Sequence, residues 1–281
     1  MKNARSRTME LPAMMRALHQ TLDDDPKILV DPIARLLVGT EEDRGWFGAM
    51  LEQPRAKELR AGFALRGRYA EDCLAEGVKQ GVRQYMVLGA GLDTFAYRQP
   101  EWGSSLRIYE VDHPLTQQEK RERLKAAGIA VPANLRFVPI DFERQGIAEA
   151  LGSSDFAWEE RTVCSWMGVT QYLTAEALEA TFRFVLGLAA GSEIVSSYIV
   201  TDDVIPAEEV AGLAEAARQT AEVGEPWLTR LRPADLAGKL RSMGFSRVIP
   251  LAPEEAHRRY FEKRRDGLRE RSGEQLMRAT V

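Results

Sequence analysis

Cysteine is nearly missing from this chain: Cys73 and Cys164 are the only two in 281 residues. Two thiols so far apart give no disulfide framework, which suits a reducing compartment. Histidine is also sparse, and His19, His113 and His257 share no metal-ligand spacing with the cysteines, so no metal is expected. Basic charge is not in excess. Lys and Arg number 38 against 42 Asp and Glu, and the net charge of −4 argues against a broad nucleic-acid-binding surface. No apolar run approaches the roughly 20 residues that cross a bilayer. The basic start, Met1 to Arg7, is followed by no apolar segment of signal-peptide type. The expectation is a cytoplasmic protein with neither nucleic acid nor membrane as partner.

What remains is an ordinary globular balance, 44% hydrophobic and 28% charged. The length fits one large α/β domain with a decorated N-terminus. Met9, Ala13, Met14, Ala17, Leu18 and Thr21 make a helical stripe over residues 8–22. Asp23-Asp24-Asp25-Pro26 ends it, because the residue before proline disfavours helix. Asp31-Pro32 opens a short second helix with Ile33, Leu36 and Leu37 on one side. Residues 55–80 read as a longer helix carrying Leu59, Phe63, Leu65, Tyr69, Cys73 and Leu74, weakened by Gly62 and Gly67. Strand-like segments follow at 84–88, 106–111, 135–140, 162–166 and 193–200. Helical ones lie between them, including 115–127 and 175–189. A helix at 233–243 leads to a sixth strand, 245–249, and 258–261 reads as a seventh, antiparallel one. Strands alternating with helices indicate right-handed βαβ units and a mainly parallel sheet.

The richest stretch is Val87-Leu88-Gly89-Ala90-Gly91-Leu92-Asp93-Thr94-Phe95-Ala96-Tyr97-Arg98. An apolar strand running into G-x-G lets a nucleotide approach the backbone, since a side chain there would block it. The third glycine of a dinucleotide fingerprint would fall at Thr94. A pyrophosphate cradle is therefore disfavoured, and a cofactor with an adenosine but no phosphates is favoured. Asp112 ends the second strand about 20 residues past the glycines, where an acid accepts from both ribose hydroxyls. Asp141 ends the third strand, placed to accept from the exocyclic amine of adenine, with Phe142 beside it to pack on the ring. Each acid also has a plainer reading as a helix cap.

These strand ends resemble the cofactor pattern of S-adenosylmethionine-dependent methyltransferases related to leucine carboxyl methyltransferase, a group with many bacterial small-molecule O-methyltransferases. The resemblance implies an α/β fold of the Rossmann-like class I type: a mainly parallel seven-stranded sheet, helices on both faces and an N-terminal helical cap. It implies a single domain over 1–281, with cap and lead-in helix in 1–80 and the core in 81–281, carrying a lid insertion near 201–232. Its cofactor residues map to Gly89, Gly91, Asp93, Asp112, Asp141 and Phe142. The family also places an arginine in the helix before the first strand, facing the methionine carboxylate of the cofactor. Here Arg66 fits best, then Arg68, with a surface ion pair to Glu71 or Asp72 as the plainer reading.

Ser165-Trp166-Met167-Gly168-Val169-Thr170-Gln171-Tyr172-Leu173 resembles the family segment W-E-G-V-x-x-Y-L. Met167 stands where relatives carry a glutamate that holds the ammonium of the cofactor. Gly224-Glu225-Pro226-Trp227 and the leucines after it resemble another family segment, with Trp227 as a wall of the substrate pocket. Ser6-Arg7-Thr8 and Asp31-Pro32 resemble elements of the cap.

Methyl transfer from a sulfonium is an in-line displacement, so the protein mainly positions and desolvates. A carboxylate acceptor is ionised at pH 7 and needs no general base. Tyr172 and Tyr198 are the catalytic candidates, and Arg98, Trp227 and Arg230 the substrate-binding ones. A phenol would need a base, and His113 is the one histidine near a proposed strand end. The expectation is methyl-ester formation on a small organic acid, with S-adenosyl-L-methionine consumed and S-adenosyl-L-homocysteine released. Methylation of a polyketide-like hydroxyl, a protein C-terminal carboxylate as acceptor, and a cofactor-binding protein that has lost catalysis are the alternatives. Thr94 argues against a nicotinamide-dependent oxidoreductase.

Overall fold

In the computed structural model, which describes residues 7–38, 55–142 and 144–281, seven strands form one sheet. They are β1 Gln84–Leu88, β2 Arg107–Asp112, β3 Leu135–Pro139, β4 Thr162–Trp166, β5 Glu193–Ile199, β6 Arg247–Leu251 and β7 Glu274–Thr280. Their order is β3-β2-β1-β4-β5-β7-β6. The first five are parallel, and β7 runs antiparallel to both β5 and β6. The strand order reverses between β1 and β4. Such a reversal opens a crevice past the carboxyl ends of the strands.

Burial on both faces explains the composition of the central strands. Every residue of β1, β4 and β5 is buried, as parallel strands covered by helices must be. One face of the sheet carries Tyr109, Trp166, Phe182 and Tyr198, and the other Tyr69, Cys73, Phe261 and Leu276. Burying a side chain of this size contributes about 1.5–3 kcal/mol.

The helices are α1 Arg7–Leu22, α2 Ala34–Leu37, α3 Ala56–Lys79, α4 Pro114–Ala126, α5 Ile147–Leu151, α6 Ala175–Leu186, α7 Ala207–Glu222, α8 Pro233–Met243 and α9 Pro253–Ala256. In α3, Leu59, Leu65, Tyr69, Cys73 and Leu74 are buried as the stripe predicts, with Phe63 at its margin. Its Gly67 is explained by close packing: a Cβ there would lie 2.9 Å from Leu29 Cδ2. Helix α1 is enclosed on more than its apolar stripe. Arg16, His19 and Asp23 just beyond its end are buried and paired. His19 Nδ1 meets Asp23 Oδ2 at 2.8 Å, and Arg60 Nη2 donates to Asp23 Oδ1 at 2.9 Å, fastening α1 to α3. Thr21, read as part of the stripe, is exposed. Among the described residues no helix is long and apolar enough to cross a membrane.

Several expectations change. Residues 258–261 are not a strand but lie in a π-helical turn, His257–Phe261, and only Phe261 there is buried. The seventh strand lies at Glu274–Thr280, where Arg278 hides its character until its partners are seen. Arg278 Nη2 donates to Glu193 Oε1 at 3.0 Å, and its Nη1 to Glu76. The sixth strand starts two residues later than expected, at Arg247. The helix 175–189 ends at Leu186, because Gly187 takes the C-cap position. Leu36 does not share the inner side of α2; it is exposed, and Ala34 and Leu37 are the buried pair. Ser6 lies outside the described residues.

Candidate active site

Two cavities lie past the carboxyl ends of β1, β4 and β5. The first, of about 450 Å3, is lined by Gly89, Gly91, Asp93, Asp112, Phe142 and Met167 among others. The second, of about 370 Å3, is lined by Leu59, Ile199, Leu213, Trp227 and Arg271 among others. Pro12, Phe63, Arg66, Gly168 and Tyr172 belong to both, so the cavities meet at these residues.

The first cavity is built by the turn after β1. Gly89 has φ +66° and Gly91 φ +46°, values that side-chain-bearing residues rarely adopt. At Gly89 a Cβ would also stand 2.4 Å from Val169 Cγ2. Asp112 ends β2 and ties the turn in place. Its Oδ2 accepts from Gly91 N at 2.5 Å, and its Oδ1 from His113 N at 2.6 Å. Burial pushes its carboxyl above the ordinary value, and the two amides pull it back only in part. Asp93 Oδ1 accepts from Phe95 N at 2.9 Å. Phe142 follows β3 and packs against the core from the cavity side. A narrow, glycine-lined turn with an acid at the next strand end fits an adenosine with its ribose hydroxyls.

Arg66 stands where the two cavities meet. Its Nη1 donates to Glu274 Oε1 at 3.0 Å, and its guanidinium lies 4.4 Å from the Phe63 ring centroid. Gly168 is required there: its φ is +71°, and a Cβ would lie 2.8 Å from both Arg66 Nη1 and Nη2. Gly168 N in turn donates to Ser197 Oγ at 2.8 Å. Of the two arginines considered, Arg68 makes the plain surface pair, with Nε 2.8 Å from Asp72 Oδ1.

Tyr172 lies in the short 3-10 segment Thr170–Tyr172 after β4. Burial pushes its hydroxyl above the ordinary 10.0, with Gln171 and Trp227 as polar neighbours. Gln171 is buried, donates from Nε2 to the Gly168 carbonyl at 3.2 Å, and leaves Oε1 without a partner. The Trp227 indole N–H finds no well-directed acceptor either.

Four expected site residues stand elsewhere. Tyr198 points to the opposite face of β5 and is 1% exposed in the core beside Met277, lining neither cavity. Alternation along a strand puts Ile199 at the cavity and Tyr198 away from it. Arg98 reaches the first cavity, not the second, and is bound to Glu71, to Asp31 at 3.3 Å and to Thr94 Oγ1 at 2.9 Å. Arg230 lines neither cavity; its Nε donates to the Val200 carbonyl at 3.0 Å and its Nη2 to Asp202. Asp141 is not a lining residue; its Oδ2 lies 3.5 Å from Arg144 Nε. His113 also stays out of both cavities. It caps α4, its Nδ1 accepting from Leu115 N at 3.3 Å.

Sequence reading missed Arg55, Gln171, Arg271 and Glu274. Gln171 sits inside a motif already quoted. Arg271 and Glu274 have no local signal, because the fold brings them to α3 from about 200 residues away, and Arg55 stands at the N-cap of that helix.

Comparison with known proteins bears on the family and the fold. The sequence model of the family described as leucine carboxyl methyltransferase matches residues 10–186. YktD of Bacillus subtilis, named for S-adenosyl-L-methionine-dependent methyltransferases, is 30% identical over 291 aligned positions, covering 95% of each chain. A solved DUF574-family protein from Streptomyces avermitilis superposes with a TM-score of 0.58 at 17% identity, over 88% of this chain and 94% of that one. A Thermobifida fusca structure described as a methyltransferase gives 0.54 at 19% identity, over 87% and 91%. At such identities the structures speak for the fold alone.

Proposed function

The chain belongs to the leucine carboxyl methyltransferase family, and from that premise we propose that it methylates the carboxylate of a small organic acid. It is an S-adenosylmethionine-dependent methyltransferase. When bound, S-adenosylmethionine supplies an already activated methyl group. Everything else falls to the residues around the two cavities.

In this reading the cavity under Gly89 and Gly91 takes the adenosine, with Asp112 accepting from the ribose and Phe142 against the base. Arg66 pairs with the methionine carboxylate of the donor, a match that its planar guanidinium makes well. Met167 offers packing and no charge to the ammonium. The acceptor enters the second cavity and presents its oxygen at Arg66, Gly168 and Tyr172. The apolar walls, Leu59, Phe63, Ile199 and Trp227, exclude water there, which strips solvation from the attacking oxygen.

One observation carries the choice of a carboxylate. Where the cavities meet, the groups are donors rather than bases. Burial keeps the Tyr172 phenol protonated through the neutral range, and Arg66 is a permanent cation. Such groups orient an oxygen that is already anionic, and a carboxylate is anionic at pH 7. A second reading has one observation of its own: Glu274 lines the acceptor cavity and could take the proton of a hydroxyl. Its pairing with Arg66 at 3.0 Å weakens it as a base.

The test starts with calorimetric titration by S-adenosylmethionine, with NADH as control. A screen of organic acids with methyl-labelled donor follows. Label released by mild alkali identifies an ester and supports the proposal. Label that survives alkali rejects it in favour of an ether formed on a hydroxyl.

A further inference from the structure

The acceptor cavity holds more positive charge than the transfer point uses. Arg55, Arg66 and Arg271 line it, against Glu222 and Glu274. Both carboxylates are already engaged, Glu274 by Arg66 at 3.0 Å and Glu222 by Arg218. Glu58 and Glu209 also act on Arg271, but Glu58 faces Arg269 at 3.7 Å and Glu209 accepts from Ser272 Oγ at 3.2 Å. Among the described residues Arg271 forms no ion pair of its own. Arg55 donates to the Gly212 carbonyl in α7, and the carboxylate that its charge acts on, Glu215, is already paired with Arg218 at 2.6 Å.

Burial pushes Arg271 below its ordinary value, Glu274 works against that, and the charge of Arg55 adds to it. A guanidinium stays charged under such pressure. Two cations sharing a largely apolar cavity are stabilised by an anion between or beside them.

Helix α3 serves as a ruler. Glu71 and Ala70 face the cofactor-side cavity, Arg66 and Phe63 both cavities, and Leu59 and Arg55 the acceptor side alone. Arg271 lies along Gly62, where a Cβ would be 3.2 Å from its Cδ. At about 1.5 Å per residue, Gly62 is about 6 Å and Arg55 about 16 Å from Arg66 along the axis. Leu59 and Phe63 occupy the stretch between.

We infer that Arg271, with Arg55 beyond it, anchors a second anionic group of the acceptor. The acceptor is then a two-ended acid: one carboxylate at Arg66 and Tyr172, an apolar spacer along Phe63, and a distal acid at Arg271, with Leu59 and Arg55 beyond it. This rests on the carboxylate reading for its transfer end only. The anchor itself is a binding site and is tested by binding.

The experiment titrates protein saturated with S-adenosylhomocysteine with octanedioate and with octanoate. The expected result is that octanedioate binds about tenfold more tightly, as one desolvated charge pair provides. Arg271→Met keeps the stem against Gly62 and should abolish that preference, while Arg271→Lys restores part of it. Unchanged S-adenosylhomocysteine affinity in both variants reports an intact fold. Equal affinities in the wild type, or a preference that survives Arg271→Met, overturns the anchor. The matching ω-hydroxy acid separates the two ideas. An alkali-stable ether from it would defeat carboxylate transfer while the octanedioate preference still upheld the anchor.

Discussion

The hydroxyl of Thr94 donates to Asp31 Oδ2 at 2.7 Å. Thr94 occupies the place of the third glycine in a dinucleotide fingerprint, so this chain has replaced close packing there with a tie. The tie is one strand of a buried knot. Arg16 Nε donates to Asp31 Oδ2 at 2.8 Å, and Arg16 Nη2 to the Leu92 carbonyl at 2.7 Å. Arg98 Nε lies 3.3 Å from Asp31 Oδ1. Asp31 thereby couples the N-terminal helices to the loop that carries Gly91 and Asp93.

Asp31→Ala should cost about 3–5 kcal/mol of folding stability, because it leaves the buried Arg16 guanidinium without its acid and Arg98 with Glu71 alone. Denaturant unfolding measures it. The pH dependence follows in sign. Burial pushes the Asp31 carboxyl up, but Arg16, Arg98 and Thr94 outweigh it and hold the folded value below 3.8. The stabilisation is therefore complete above the ordinary carboxylate range and is lost as pH falls below 3.8. A wild-type curve that parallels that of Asp31→Ala through the acid limb would contradict this.

Asp112→Ala should weaken S-adenosylhomocysteine binding by about 10- to 100-fold, the worth of a charge-assisted hydrogen bond or two. In the wild type, affinity should begin to fall at a pH above 3.8, since burial raises this carboxyl and its protonation removes an acceptor. Calorimetry across the acid range checks both. Unchanged affinity in a folded variant removes Asp112 from the ribose site.

Met167→Glu should tighten S-adenosylmethionine binding by roughly 3- to 10-fold, about 1 kcal/mol. Met167 lines the cofactor-side cavity, where an acid would meet the ammonium. Weaker binding would mean that the pocket is built around the thioether.

Tyr198→Phe should leave methyl transfer unchanged and raise stability by about 1 kcal/mol, because a buried hydroxyl without a partner costs free energy. The Tyr198 hydroxyl has no hydrogen bond in the core. A lost or reduced rate would return Tyr198 to the reaction.

Local signals carried most of the sheet. Gly89, Gly91 and Asp112 were readable because a turn and a strand end are defined by neighbours in sequence. Arg66, proposed to act with them, came through resemblance, with Arg68 second on its spacing to the glycines. Tyr198 and Arg230 failed for a common reason: residue type names a capability, and only the facing of a strand or an existing partner decides its use. Strand β7 was missed because Glu274 and Arg278 look like a solvated tail until Arg66 and Glu193 are placed beside them. Arg271 was invisible for the same reason.

The placement of β7 between β5 and β6 also fixes an order of events. Strand β6 is made before β7 yet touches the sheet only through it. During synthesis β6 must wait, unpaired, and β5 with one edge open, while β1 to β4 have every neighbour they need. Glu274 is the first residue of the strand that ends the wait, and its partner Arg66 lies 208 positions earlier. Contacts so distant form late. The wall of the second cavity at Glu274 is thus completed last, so a chain still emerging could shape the crevice under Gly89 and Gly91 before the neighbouring cavity is closed.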